Sequence, residues 1–368
     1  MDGKRRFDFG AGELERLAEE AREFKGESLW QDAWRRLRRN RFSWWAGVFL
    51  AIFMLGSFLA PVFPLRSPTE IRTGRANLAP SFGGGDLNYL SEFKEDPTND
   101  ELDRAYWDLS FIDHGLLRMR MAIFKRWQPD TILGTDNLGR DILSRIVWGS
   151  RTSILVALAA TLFSLLIGVT YGAFSGLMGG RIDNLMMRIV DILYSIPFIF
   201  VVIFLITFIG DRSTELEDKG IDREFVFYVV IGAVYWLTMA RVVRGQVLSL
   251  KNSEFIEALR VMGASTPRIL FAHVVPNILS IVIVYLTLTI PAIMLFEAFL
   301  SFLGLGIEAP KVSWGTLAND GTSAINPLRI YWWLVAFPAA AMGSTLLALN
   351  ILGDGLRDAL DPKMRGKD

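Results

Sequence analysis

Six long stretches of apolar residues, each almost free of charge, constrain this chain more than any other feature. They run over 42–65, 152–180, 192–210, 225–240, 269–296 and 330–353. At about 1.5 Å of rise per residue, a helix of about 20 residues crosses a hydrocarbon core of about 30 Å, and all but the fourth stretch are long enough. The fourth is short, but Glu224 and Arg241 flank it and can sit at the two interfaces. Six spanning helices are therefore expected. A mean hydropathy of +0.32, with 51% hydrophobic residues, excludes an ordinary soluble enzyme, because no globular surface could cover so much apolar side chain. Trp44, Trp45, Trp148, Trp236, Trp332 and Trp333 fall near the ends of the apolar runs, where amphipathic rings favour the headgroup layer.

The first run differs from a cleaved signal peptide, since forty-one residues precede it and it is longer than a usual signal core. Arg35, Arg36, Arg38, Arg39 and Arg41 stand directly before it. Such a block is held on the cytoplasmic side; its place against a span weighs against nucleic acid as a partner. With the N-terminus inside, the inner connections carry Arg181 and Arg188, then Arg241, Arg244, Lys251, Arg260 and Arg268, and the tail carries Arg357, Lys363, Arg365 and Lys367. The outer loop 211–224 is acidic instead. The chain thus divides into a cytoplasmic extension (1–41), a first span (42–65), an extracytoplasmic segment (66–149), a core (150–353) with an inner connection at 241–277, and a cytoplasmic tail (354–368). In the extension, Leu17, Ala21 and Phe24 share one helical face, as do Trp30, Trp34 and Leu37. This pattern suits the inner membrane surface or a cytoplasmic partner, with a solvated extension as the alternative. Residues 66–133 of the extracytoplasmic segment read as folding as a cap on the spans or against an extracellular partner, with a helix over 108–127.

Gly168, Gly172 and Gly176 recur every four residues in the second span, which lets another helix approach closely. Pro197 and Pro291 should bend the third and fifth spans. Glu297 falls near the outer end of the fifth span, where a structural hydrogen bond is expected rather than a proton relay. Asp136 or Asp141 is expected to cap a helix leading into the second span. The sequence holds no cysteine and only His114 and His273, so neither thiolate chemistry nor a histidine-based metal site is expected. No GxxxxGK[ST] string occurs, so ATP hydrolysis is not expected in this chain. With no ionisable residue placed at the midplane, an ion gradient has no evident carrier, although an ion-coupled secondary transporter stands as the alternative class.

The inner connection has helical pattern on both sides of a break. Phe255, Leu259 and Met262 fall on one face, Gly263 can end that helix, and Thr266 and Pro267 can open the next. An apolar ridge on the cytoplasmic side wants a groove to fill.

The run EFIEALRVMGASTPRILFAHVVPN, residues 254–277, resembles the coupling loop of permease subunits in ABC-type importers, with Glu257 and Ala258 in place, Leu259 where the family usually has a second alanine, then Gly263 and Pro276. GTDNLGRD at 134–141, FLSFLGLG at 299–306 and GDGLRDALDP at 353–362 narrow the resemblance to the C-type permease of dipeptide and oligopeptide importers, over about residues 130–363. The resemblance implies an all-α membrane protein, with six transmembrane helices in a type I ABC importer permease fold and a cytoplasmic coupling helix, in a bacterial or archaeal cytoplasmic membrane. It implies a homologous second permease, two cytoplasmic ATPase subunits and an extracytoplasmic peptide-binding protein as partners, beside membrane lipid. It also implies that ATP and Mg act in the ATPase subunits, with no cofactor in this chain. Phe255, Glu257, Ala258, Leu259, Met262, Gly263, Pro267 and Pro276 are the implied contacts to an ATPase. Nickel or a peptide-like antibiotic is the narrower alternative for the cargo.

Overall fold

Each apolar run lies mainly in helix, since a backbone in hydrocarbon must satisfy its own hydrogen bonds. The computed structural model describes residues 29–81, 89–90, 97–107, 109–125, 127–210, 223–325 and 329–360. In chain order the helices are α1 (Leu29–Arg39), α2 (Arg41–Phe58), α3 (Asn99–Tyr106), α4 (Phe111–Phe124), α5 (Ile142–Met178), α6 (Gly180–Ser195), α7 (Phe198–Gly210), α8 (Arg223–Leu250), α9 (Glu254–Val261), α10 (Thr266–Phe302), α11 (Trp314–Ser323) and α12 (Trp333–Leu360). A two-residue antiparallel ladder, Tyr89–Leu90 on Trp127–Gln128, is a small departure from an all-α fold.

Helices α2, α5, α8, α10 and α12 are each long and apolar enough to cross a membrane. The expected third span is different. Its 192–210 run is split between α6 and α7, which meet at an angle of 82° around Ile196 and Pro197. A proline there removes a helix hydrogen bond and clashes with the preceding turn; the result is a full corner rather than the local bend expected. Such a pair is either one broken span or a re-entrant loop. Helix α1 lies on the far end of α12, with Ala33 and Leu37 against Leu352, Leu356, Ala359 and Leu360, so the start of the first span and the end of the last share one side. An even number of crossings is required, and five plus the bent pair makes six.

The inner connection is shorter than expected. Residues 241–250 are the last turns of α8 and 266–277 the first turns of α10, so the connection proper covers 251–265. The fourth apolar run stopped at Arg241 only because charged residues begin there, and helices continue past the hydrocarbon into the headgroups. For the same reason Trp236, expected near a span end, sits midway along α8, edge-on to Tyr171 at 4.9 Å.

The glycine stripe of α5 packs on α8 as expected. A Cβ on Gly172 would lie 2.3 Å from the Ala240 carbonyl oxygen, and one on Gly168 would lie 2.6 Å from the Met239 Cβ. From the other helix, Gly232 faces Ala160 and Phe163. Around this pair, α10 and α12 complete the bundle, and α2 runs along α12.

The extracytoplasmic helices carry their own start signals. Thr98 with Glu101, and Ser110 with Asp113, form reciprocal capping boxes at the heads of α3 and α4. In the extension, the buried face of α1 is Ala33 and Leu37, while Trp34 points outward. Trp34 and Leu37, expected on one face, thus point to different sides, and Leu37 packs on the chain's own α12. Leu17, Ala21 and Phe24, the loop 211–222 and the tail lysines lie outside the described residues.

Candidate functional site

Helix α9 is eight residues long, too short to persist alone in water. Three features hold it. Ile256 is fully buried in a cluster with Val169, Ala173 and Leu177 of α5, Val243 and Val247 of α8, and Ile269 and Leu270 of α10. Leu259 and Ala264 are half-buried against the same cluster. The helix end is closed by paired turns: the Gly263 amide donates to the Arg260 carbonyl (3.0 Å) and the Ala264 amide to the Leu259 carbonyl (3.0 Å). Gly263 has φ +78°, the left-handed conformation that glycine adopts without cost from a Cβ.

With Ile256 and Leu259 turned inward, the outward face is Phe255, Ala258 and Met262, at i, i+3 and i+7, beside Glu254, Glu257 and Val261. Phe255 is 40% exposed, Met262 73% and Val261 87%. Leu259, expected on the exposed ridge, is half-buried against the inner cluster instead. Phe255 and Ile256 are adjacent and both apolar, so periodicity alone could not tell which of two apolar faces points inward. Val261 was missed for the same reason: it reads as the last core position of the helix.

Of the remaining expected contacts, Gly263 forms the turn as predicted and Pro267 stands in the first turn of α10, with Ser265 rather than Thr266 in the capping position. Pro276 does not belong to the loop. It lies nine residues, or about 13 Å of helix, further along α10, just after a widened turn at Ile269–Val274 in which the Val275 amide reaches back five residues to the Leu270 carbonyl. A proline without an amide hydrogen, whose ring crowds the carbonyl four residues before it, explains this local widening. Pro267 also lines an apolar cleft of about 710 Å³ with Phe271, Leu166, Thr170, Phe174 and Met186.

The foot of the loop is braced by charge. Asp183 of α6 accepts two hydrogen bonds from the Arg244 guanidinium of α8 (2.5 and 2.6 Å) and a third from the Ser175 hydroxyl of α5 (2.6 Å). The Lys251 ammonium donates to the Met178 carbonyl (3.2 Å). Three helices thus meet beside α9.

The opposite end of the bundle is tied by a network of ion pairs. In the GTDNLGRD string, the Asp136 carboxylate accepts from Arg140 and Arg145 (2.6 Å each), and both arginines also reach Asp320 of α11 (3.0 and 2.9 Å). Asp141 caps α5, accepting from the Ser144 amide at 2.8 Å. Burial pushes its carboxyl up to about 7, against the lowering effect of that amide. Glu297 is fully buried and accepts from Ser153 of α5 (3.1 Å) and Ser301 (2.8 Å), whose hydroxyls in turn receive the amides of Trp314 and Ile307. It is a structural knot at the outer end of α10, as its position suggested.

Residues 168–366 match the family model described as binding-protein-dependent transport system inner membrane component. Residues 28–80 match that of the N-terminal transmembrane domain of oligopeptide transport permease C. The chain is 40% identical to the dipeptide transport system permease protein DppC of Bacillus subtilis over 344 residues, 92% of this chain and 87% of that one. It is also 40% identical to the oligopeptide transport system permease protein OppC of Escherichia coli K12 over 352 residues, 96% of this chain and 97% of that one. The corresponding oligopeptide permease of Haemophilus influenzae is 38% identical over 347 residues, 94% and 92% of the two chains.

Proposed function

The chain belongs to the family of binding-protein-dependent transport system inner membrane components, and from that premise we propose that it is one of two permeases in an ATP-driven importer of di- or oligopeptides. A second, homologous permease completes the path. Two cytoplasmic ATPase subunits supply the energy, holding ATP and Mg, and an extracytoplasmic binding protein delivers the peptide. The side of the membrane carrying α1, α9 and the end of α12 is the cytoplasmic one, in keeping with the arginines before α2.

The observation that carries this reading is α9 itself: a short helix, closed by a glycine turn, with one apolar face anchored and the other bare. Phe255, Ala258, Val261 and Met262 fill a groove on an ATPase subunit, and Glu257 supplies a charged contact at its edge. Ile256 ties α9 into packing shared by α5, α8 and α10, so displacement of α9 moves three spans as a unit. When ATP draws the ATPase subunits together, this rigid linkage converts an inward-open path to an outward-facing one, and hydrolysis restores the inward opening.

Copurification of the ATPase subunits and uptake of labelled peptide test the assignment together. Glu257→Lys and Met262→Asp are expected to weaken both, while Arg260→Ala leaves them near wild type. Truncating a buried interface anchor commonly costs about 2 kcal/mol or more, about thirtyfold in affinity. Unchanged association and unchanged uptake in both loop variants would remove α9 from the coupling role.

A further inference from the structure

The junction of α1 and α2 presents a second bare surface, unrelated to the coupling loop. Asn40 separates the two helices and caps α2, its side chain accepting the Ser43 amide at 3.3 Å. The inner face of α1 is fixed on α12 through Ala33 and Leu37, and Ser43 donates to the Ile351 carbonyl at 3.2 Å. The outer face is therefore held in one orientation. Trp34 and Arg38 are exposed on α1, and Arg41, Phe42 and Trp45 are exposed at the head of α2, the three rings by 54%, 81% and 67% for Trp34, Phe42 and Trp45. The Arg38 guanidinium sits 5.2 Å from the centre of the Trp44 ring, and Trp44 meets Trp34 edge-on at 5.7 Å.

Aromatic rings and cations alternating at the mouth of a spanning helix suit neither bulk water nor hydrocarbon. Indole and phenyl rings partition into the headgroup layer, and guanidinium groups pair with phosphate oxygens through two parallel hydrogen bonds. We infer that the corner formed by Trp34, Arg38, Arg41, Phe42 and Trp45 is a binding site for the headgroup of an anionic phospholipid of the adjacent leaflet. The rings insert beside its glycerol backbone, and Arg38 and Arg41 hold its phosphate. Charge complementarity selects a lipid with net negative charge over a zwitterionic one, whose ammonium group the two arginines repel. Because the same corner is braced on α12, a bound lipid also clamps the first and last spans to each other.

The test uses the full chain with its partner subunits in nanodiscs that contain phosphatidylglycerol and phosphatidylcholine at equal mole fraction. Lipid retained after mild delipidation is counted by native mass spectrometry. Each cation near an anionic surface contributes about fivefold in affinity, so wild type should retain phosphatidylglycerol many-fold over phosphatidylcholine. Arg38→Gln with Arg41→Gln should lose most of that preference, Arg38→Lys with Arg41→Lys should keep the greater part, and added salt should weaken it in wild type. Because arginines beside a span also orient it, protease access to the N-terminus is measured alongside, and the single variant Arg38→Gln is read where the double variant misorients. No preference in wild type, or the same preference in wild type, Arg38→Gln and the double glutamine variant, overturns the assignment. A loss of ATPase subunits with lipid preference intact also overturns it and gives the surface to a protein.

Discussion

Replacing Ile256 with alanine separates the anchoring of α9 from its docking. Ile256 is fully buried among side chains of three spans, and truncating such a residue costs about 2–5 kcal/mol when the surroundings cannot close the gap. Because α9 has only eight residues and little helical stability of its own, this loss falls on the equilibrium between docked and detached loop. At about 3 kcal/mol, that equilibrium shifts roughly 150-fold. Hydrogen exchange of the 254–262 amides in the assembled transporter reads it directly, and protection should fall by about two orders of magnitude. Peptide uptake should fall with it, while the ATPase subunits continue to hydrolyse ATP without transport. Ile256→Val, which costs only about 0.5–1.5 kcal/mol, should retain most protection. Val261→Ala should leave exchange unchanged and weaken ATPase association instead. Wild-type protection and uptake in Ile256→Ala would refute the anchor, and with it the route from loop to spans.

Gly172→Ala should lower the unfolding temperature, at a cost of about 1–3 kcal/mol, since its Cβ would meet the Ala240 carbonyl; Gly245→Ala, on the partner helix α8 but facing open space, should stabilise by about 1 kcal/mol. Asp141 has a folded pKa of about 7 against an unfolded value of about 3.9, so the folded state holds the extra proton. Its contribution is full below about pH 4 and lost as pH rises through 7, on the order of 4 kcal/mol. Thermal unfolding from pH 5 to 8 should therefore fall more steeply in wild type than in Asp141→Asn, and equal slopes would contradict the burial effect. Asp136→Ala takes from the buried Arg145 its one buried partner and leaves it only the half-exposed Asp320, and should cost about 3 kcal/mol, measured by denaturant unfolding in detergent. Asp320→Ala should cost less, because that carboxylate is 37% exposed.

The spans were legible because hydrocarbon imposes one rule on every residue of a run: uninterrupted apolarity. Their ends were not, because outside hydrocarbon a helix continues through Arg241 and Arg244 as readily as through valine. Pro197 announced a bend, but the size of the turn depends on how α6 is pinned to α8 through Asp183 and Arg244, a pairing sixty-one residues apart that no local pattern signals. The loop carrying α9 was legible as a motif and its glycine turn as a conformation. Which of its apolar residues faced outward was not, because Phe255 and Ile256 differ in environment rather than in chemistry. The N-terminal arm was readable as amphipathic, yet its cover, Leu352 to Leu360, is specified more than three hundred residues later. The capping boxes of α3 and α4 were present as T-x-x-E and S-x-x-D strings and could have been read.

That late cover has a consequence for synthesis. The arm is made first, but Ala33 and Leu37 have no shelter until the closing turns of α12 emerge from the ribosome. A chain stopped before Leu352 would insert most of its spans and still display an unsheltered amphipathic helix to the cell's proteases and chaperones. The seam between α1 and α12 therefore closes only on a molecule translated through Leu360.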